Sequence, residues 1–184
     1  TGNVRATELS PLRRLDFAIR PDSLAVIGLG AIGGSIAWRA TRAGIPRVVG
    51  WTRERSDAIE ALKRGALTEL AETPERTARG AALVVLAVPP GATLDMLGRL
   101  RPWLASGAIV SDVASVKREV VARACREGLA DRFAGAHPLA GTHATGFGAA
   151  RPDMFEGATC YVCPTGTVGG GQAEGVLAEA GDGA

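Results

Sequence analysis

The chain's two histidines, His137 and His143, both fall within "GAHPLAGTHATG" at 135–146. An imidazole can ligate a metal or accept a proton near neutral pH. Neither a nearby cysteine nor a convincing carboxylate set completes four zinc ligands here, so no metal site is expected. That leaves proton transfer or accident. Pro138 follows His137 directly, and a residue before proline is held to an extended backbone, which helps fix its direction.

A second stretch with chemistry in its spacing is "GLGAIGG", a G-x-G-x-x-G formed by Gly28, Gly30 and Gly33. It closes an apolar run and opens a helical one, the context in which such a motif binds a dinucleotide. Gly28 allows the tight turn, Gly30 lets backbone approach a pyrophosphate, and Gly33 lets helix and strand pack closely. Ala31 and Ile32 then carry free N–H groups of the helix start toward the phosphates. A glycine-rich turn without ligand is the plainer alternative. Val88 and Pro89, in "VLAVPP" at 85–90, join the expected cofactor contacts.

NAD enzymes usually place Asp or Glu after the second strand, to hold the ribose hydroxyls. This chain has "GWTRER", with Thr52 at that position and Arg53 and Arg55 following. Thr52 can donate a hydrogen bond, and Arg53 can pair with a 2′-phosphate or stack on adenine. NADP is therefore expected over NAD, with a solvated helix start as the alternative for the arginines. Cys160 and Cys163 form a C-x-x-C. On a strand, positions three apart point to opposite faces, so these read as strand residues rather than a redox pair or half a zinc site.

These groups need a scaffold. "SLAVIGLG" (23–30), "RVVGW" (47–51), "AALVVLAVPP" (81–90) and "GAIVSDV" (107–113) read as strands. So do "RFAGAHP" (132–138) and "ATCYVCP" (158–164). Helices are expected at 31–43, 55–65, 92–104 and 115–128. The third has Met96, Leu97, Leu100 and Leu104 on one side, and Ser115 is a plausible cap of the fourth. Strand and helix in this rhythm predict an α/β fold, a doubly wound, mostly parallel sheet of the Rossmann-like NAD(P)-binding kind. Residues 1–22 read as a lead-in and 23–166 as the dinucleotide-binding domain. Residues 167–184 read as a Gly/Ala-rich tail, a weak helix over 172–180 or disordered.

At 184 residues the chain holds one sizeable core rather than two. Its charge of +2 is scattered, with "RR" at 13–14 and "RER" at 53–55 the densest basic spots; a nucleic-acid partner would want a longer stripe. No apolar run is long enough to span a membrane, and the polar start is unlike a signal peptide. The expected setting is the cytoplasm.

"VLAVPP", "SDVASVK" (111–117) and "GAHPLAGTHATG", in this order after the glycine loop, resemble the prephenate and arogenate dehydrogenases of tyrosine biosynthesis, as does "DMFEGATCYVCPTG" (153–166). The resemblance covers roughly 23–166. It implies oxidative decarboxylation of a small molecule, prephenate or arogenate, with hydride passing to the nicotinamide and His137 taking the proton of the ring hydroxyl; the NADP expected from Thr52 and Arg53 would serve as that cofactor. A neutral imidazole suits that task, and turnover should fall as it is protonated, around the ordinary value of about 6.5. The resemblance also gives Ser115 a hydrogen bond near that histidine and the nicotinamide. It brings Gly141, Thr142 and His143 toward substrate, although His143 stands where some members carry an acid. Lys117 reads as a first-turn surface residue, and Asp112 as the strand end that orders the loop.

The family's helical second domain, its usual dimer interface, is absent from these 184 residues. The chain is therefore expected to bind NADP(H) but to turn substrate over poorly or not at all, and to expose apolar surface that favours association, a homodimer without the usual dimer domain being one form of it. Competing readings are another NADP reductase, such as an imine or hydroxyacid enzyme, and a nucleotide-binding module without catalysis.

Overall fold

The computed structural model describes residues 20–141, 143–165 and 176–179. Among these, eight strands form one sheet in the order β3-β2-β1-β4-β5-β6-β7-β8. They are β1 (Ser23–Ile27), β2 (Arg47–Trp51), β3 (Glu69–Leu70), β4 (Leu83–Leu86), β5 (Ile109–Asp112), β6 (Phe133–Pro138), β7 (Thr159–Pro164) and β8 (Val176–Glu179). The helices are α1 (Ala31–Arg42), α2 (Arg55–Lys63), α3 (Pro74–Ala78), α4 (Pro90–Leu100) and α5 (Arg118–Arg126). The first six strands are parallel, while β7 pairs antiparallel with β6 and with β8. This is the doubly wound, Rossmann-like sheet expected.

The strand runs are apolar at nearly every position because helices cover both faces. Ala25, Ile27, Val84, Leu86, Val110 and Phe133 pack with buried residues of α3, α4 and α5. Their alternates Leu24, Val26, Val48 and Val85 pack on the other face with Ala37 of α1, Ala58 and Ala61 of α2, and Phe147. The expected apolar side of α4 is buried through Met96, Leu97 and Leu100, with Leu104 packed partly against it. Beyond α1, among the described residues, an apolar groove of about 410 Å³ runs over that second face at Leu83, Ile109, Ala134, Ala136 and Phe155.

Several boundaries differ from the sequence reading, each for a local reason. The helix expected at 92–104 starts at Pro90, whose missing N–H costs nothing in a first turn; it tightens into a 3-10 turn at Arg101–Trp103 around Pro102. β3 and α3 were not expected. β3 has only two residues, while α3 carries a legible start: the Thr73 hydroxyl accepts from the Arg76 N–H, and Pro74 follows it. Residues 176–179, expected within a weak helix or disordered tail, form a strand instead. There the open edge of β7 offers backbone partners that a short glycine-flanked helix would lack. The rest of that tail and most of the lead-in lie outside the described residues.

Among the described residues no helix is long and apolar enough to cross a membrane.

Candidate active site

Strand order reverses between β1 and β4: the chain moves outward through β2 and β3, then returns to the other side of β1. Ligands of such sheets bind beyond the carboxyl ends of the strands at that reversal. The glycine loop leaves β1 there, and "AVPP" leaves β4 beside it. The Gly28 N–H donates to the Trp51 carbonyl at 2.7 Å, and the Ala87 N–H to the Ile27 carbonyl at 2.7 Å. These bonds pull the neighbouring strand ends together.

The three glycines divide the work as their spacing suggests. Gly28 has φ +97°, and a Cβ there would lie 2.2 Å from the Ala87 carbonyl oxygen. A Cβ on Gly33 would lie 1.9 Å from the Gly28 carbonyl oxygen and 2.7 Å from Ala87 Cβ. Around Gly30 a Cβ would meet nothing within 4 Å: its face is open toward a cleft of about 320 Å³, walled by Gly30–Gly33, Ala87, Val88, Val113 and Ala114. No acidic residue stands in the first turn of α1, so its N-terminal N–H groups and dipole face the cleft unopposed. An open backbone cradle at a helix N-terminus fits a dinucleotide pyrophosphate. Gly33→Ala is accordingly expected to cost about 1–3 kcal/mol of stability by overpacking and to abolish measurable dinucleotide binding. Thermal melting and a cofactor titration check both, and parent-like affinity would refute the role given to Gly33.

The opposite wall belongs to the loop after β6. It folds back across the cleft, lining it with Ala144, Thr145 and Gly146. A Cβ on Gly141 (φ +156°) would touch Ile32, and one on Gly146 would meet the Asp57 carboxylate of α2. Phe147 then anchors the loop. It is fully buried and fills the space a side chain at Gly34 would need. It stacks on Trp38 at 5.9 Å, and the Arg64 guanidinium lies over both rings. Sequence reasoning missed this wall, although the Gly141 and Gly146 pair marks a sharply turned segment. His143 is exposed on the loop, and Thr142 lies outside the described residues. Pro89 is exposed at the start of α4.

Two expectations for the loop after β5 are corrected. Ser115 does not cap α5; the helix begins at Arg118 after Lys117, and Ser115 stands exposed in the preceding turn. Lys117 is not a surface residue. The Lys117 Nζ donates to Asp112 Oδ2 at 2.6 Å, with side-chain exposures of 16% and 0%. The Ala114 N–H donates to the same oxygen at 2.9 Å, so Asp112 orders the loop as expected. This buried pair draws residues 114–117 out of the helix that Ser115 would otherwise start.

His137 lies half-buried on β6, one strand beyond β5 and its loop. Ser115 and His137 thus belong to the ends of adjacent strands, whereas Thr52 and Arg53 follow β2, on the far side of β1. Thr52 is half-buried; Arg53 is exposed and makes no ion pair among the described residues. Cys160 and Cys163 are free thiols on β7. Burial pushes the Cys160 thiol pKa up, against the lowering effects of a backbone hydrogen bond from His137 and of the Lys117 charge, which disfavours the thiolate that cysteine chemistry needs. Among the described residues no three His, Cys, Asp or Glu gather as metal ligands would.

A family model described as the prephenate dehydrogenase nucleotide-binding domain matches residues 37–178. The prephenate dehydrogenase of Bacillus subtilis is 36% identical over 148 residues, 78% of this chain and 39% of that protein. The arogenate dehydrogenase of Synechocystis superposes with a TM-score of 0.72 at 34% identity, covering 78% of this chain and 50% of that one. For the prephenate dehydrogenase of A. aeolicus, solved with hydroxyphenyl propionate and NAD+, the values are 0.73 and 26%, over 80% and 52%. The chain therefore spans about two fifths to one half of the length of these relatives. With three quarters of its residues inside the family model, the chain belongs to the prephenate dehydrogenase family and carries its nucleotide-binding domain.

Proposed function

We propose that this chain is the cofactor-binding part of a cytoplasmic, NADP-dependent prephenate dehydrogenase, which converts prephenate to 4-hydroxyphenylpyruvate in tyrosine biosynthesis. The observation that carries the reading is the open glycine cradle at the strand-order reversal, with the histidine-bearing β6 close by. A bound nicotinamide would supply the hydride acceptor. The chain's residues have the remaining tasks. The α1 N-terminus and Gly30 hold the pyrophosphate. His137 accepts the proton of the substrate's ring hydroxyl as the hydride leaves the carbon bearing it. The carbon–carbon bond to the ring carboxylate then breaks, its electron pair enters the ring, carbon dioxide departs, and a phenol results. Ser115 hydrogen-bonds beside the imidazole, and Gly141, Thr142 and His143 line the substrate's approach. Arogenate is the second reading, supported by the likeness to the Synechocystis arogenate dehydrogenase. A binding module without catalysis would need neither Ser115 nor His137.

The NADP preference rests on Thr52 and Arg53, free of any acidic residue between the end of β2 and Arg53. Among the described residues Arg53 has no ion pair to give up, so a 2′-phosphate would gain a charge-assisted hydrogen bond worth about 1.5–3 kcal/mol, roughly 10- to 100-fold. Trp51, one residue before Thr52, makes the test direct. Titration of tryptophan fluorescence should show NADPH binding at least about 10-fold tighter than NADH. Arg53→Ala should bring the two together. Equal binding by the parent chain would remove the preference while leaving the family assignment intact.

A further inference from the structure

Resting on the reading of His137 as proton acceptor, we infer that Tyr161 is a second residue that touches the substrate, through a hydrogen bond from its phenol to the ring hydroxyl. Tyr161 is the chain's only tyrosine. In the antiparallel β6–β7 ladder it stands directly opposite His137, and opposed residues project from the same face about 4.5–5.5 Å apart at Cβ. The neighbouring positions on that face form a floor rather than an obstacle. Gly135, two residues before His137, pairs with Asp112 on one side and Cys163 on the other. The Lys117 stem packs so closely over Gly135 that a Cβ there would lie 3.1 Å from its Cδ.

β7 is an interior strand, between β6 and β8, yet Tyr161 keeps 46% of its surface exposed. Its phenol reaches further from the backbone than the imidazole does, by most of the length of one hydrogen bond. A substrate hydroxyl that donates to the imidazole therefore lies level with the tyrosine hydroxyl. As that oxygen loses its proton to His137, its charge rises, and a phenol donor holds it more strongly than it holds the starting alcohol. A tyrosine meant only for packing would turn its ring into one of the two cores, neither of which includes it.

The test uses hydroxyphenyl propionate and phenylpropionate, which differ only in the hydroxyl, titrated into the full chain saturated with oxidised cofactor. The parent should bind the hydroxylated acid about 10-fold more tightly, as one well-placed hydrogen bond allows. Tyr161→Phe, which removes a single oxygen and should melt at the parent temperature, should lower that ratio by about threefold or more, leaving only what the bond to His137 contributes. A parent that does not distinguish the acids, or a Tyr161→Phe chain that keeps the parent's ratio, overturns the inference. Failure of the underlying reading looks different: in a form of the protein that converts substrate, His137→Asn would retain full turnover while Tyr161→Phe still lowered the discrimination.

Discussion

Replacing His137 by asparagine should lower turnover by about 10²- to 10⁴-fold, the range for removal of a general base, in a form of the protein that converts substrate. Asparagine preserves much of the side chain's volume and polarity but cannot take a proton. Cofactor affinity should stay at the parent value, because the cleft beyond β1 and β4 is walled by the glycine loop, the ends of β4 and β5 and residues 144–146, not by His137. The split between lost turnover and kept binding distinguishes a base from a residue that merely supports the fold. The pH profile adds a sign. The base works as the neutral imidazole, so over a measured window of about pH 5 to 8 the rate should be highest on the alkaline side and fall toward the acid side as the imidazole takes a proton. Asparagine should flatten that limb. A parent rate level across the window, or an asparagine variant within a few-fold of the parent, would remove His137 from the chemistry.

The parts of this picture legible in the sequence are those governed by local rules. Buried parallel strands read as short apolar runs, and β1, β2, β4, β5 and β6 lie within the expected segments. The glycine loop was legible because backbone sterics admit no other residue at Gly28 and Gly33. Long-range return of the chain was not. Nothing in "LAGTHATGF" says that it folds back over the first helix, since the cause is a pocket for Phe147 created more than a hundred residues earlier by Gly34. The antiparallel direction of β7 has the same character: it depends on where the loop from 139 to 158 brings the chain back. Asp112 and Lys117 show a third limit. A charged pair five residues apart around a turn looks like solvated surface, and only the placement of β6 over it makes it interior.

That buried pair carries the second large effect. Asp112 is fully buried, and its Oδ2 accepts from both Lys117 and the Ala114 N–H, while its Oδ1 has no partner among the described residues. Lys117→Met keeps the stem that packs on Gly135 but removes the ammonium. The carboxylate would then stand in the interior with one backbone donor. Breaking a buried pair from one side costs about 3–5 kcal/mol, which for a chain of this size lowers the melting temperature by roughly 6–20 °C. The penalty comes from the stranded charge rather than from lost attraction, so a double variant with Asp112→Leu should recover most of it, as apolar replacement of both partners often does. The loop gives a functional readout that stability does not. Val113 and Ala114 wall the cofactor cleft, and the Asp112 carboxylate holds the Ala114 N–H. The double variant should therefore melt near the parent temperature yet bind dinucleotide more weakly. A single variant as stable as the parent would mean that water reaches the carboxylate. A double variant with parent affinity would mean that the loop is held by its packing, and that Asp112 and Lys117 serve the fold alone.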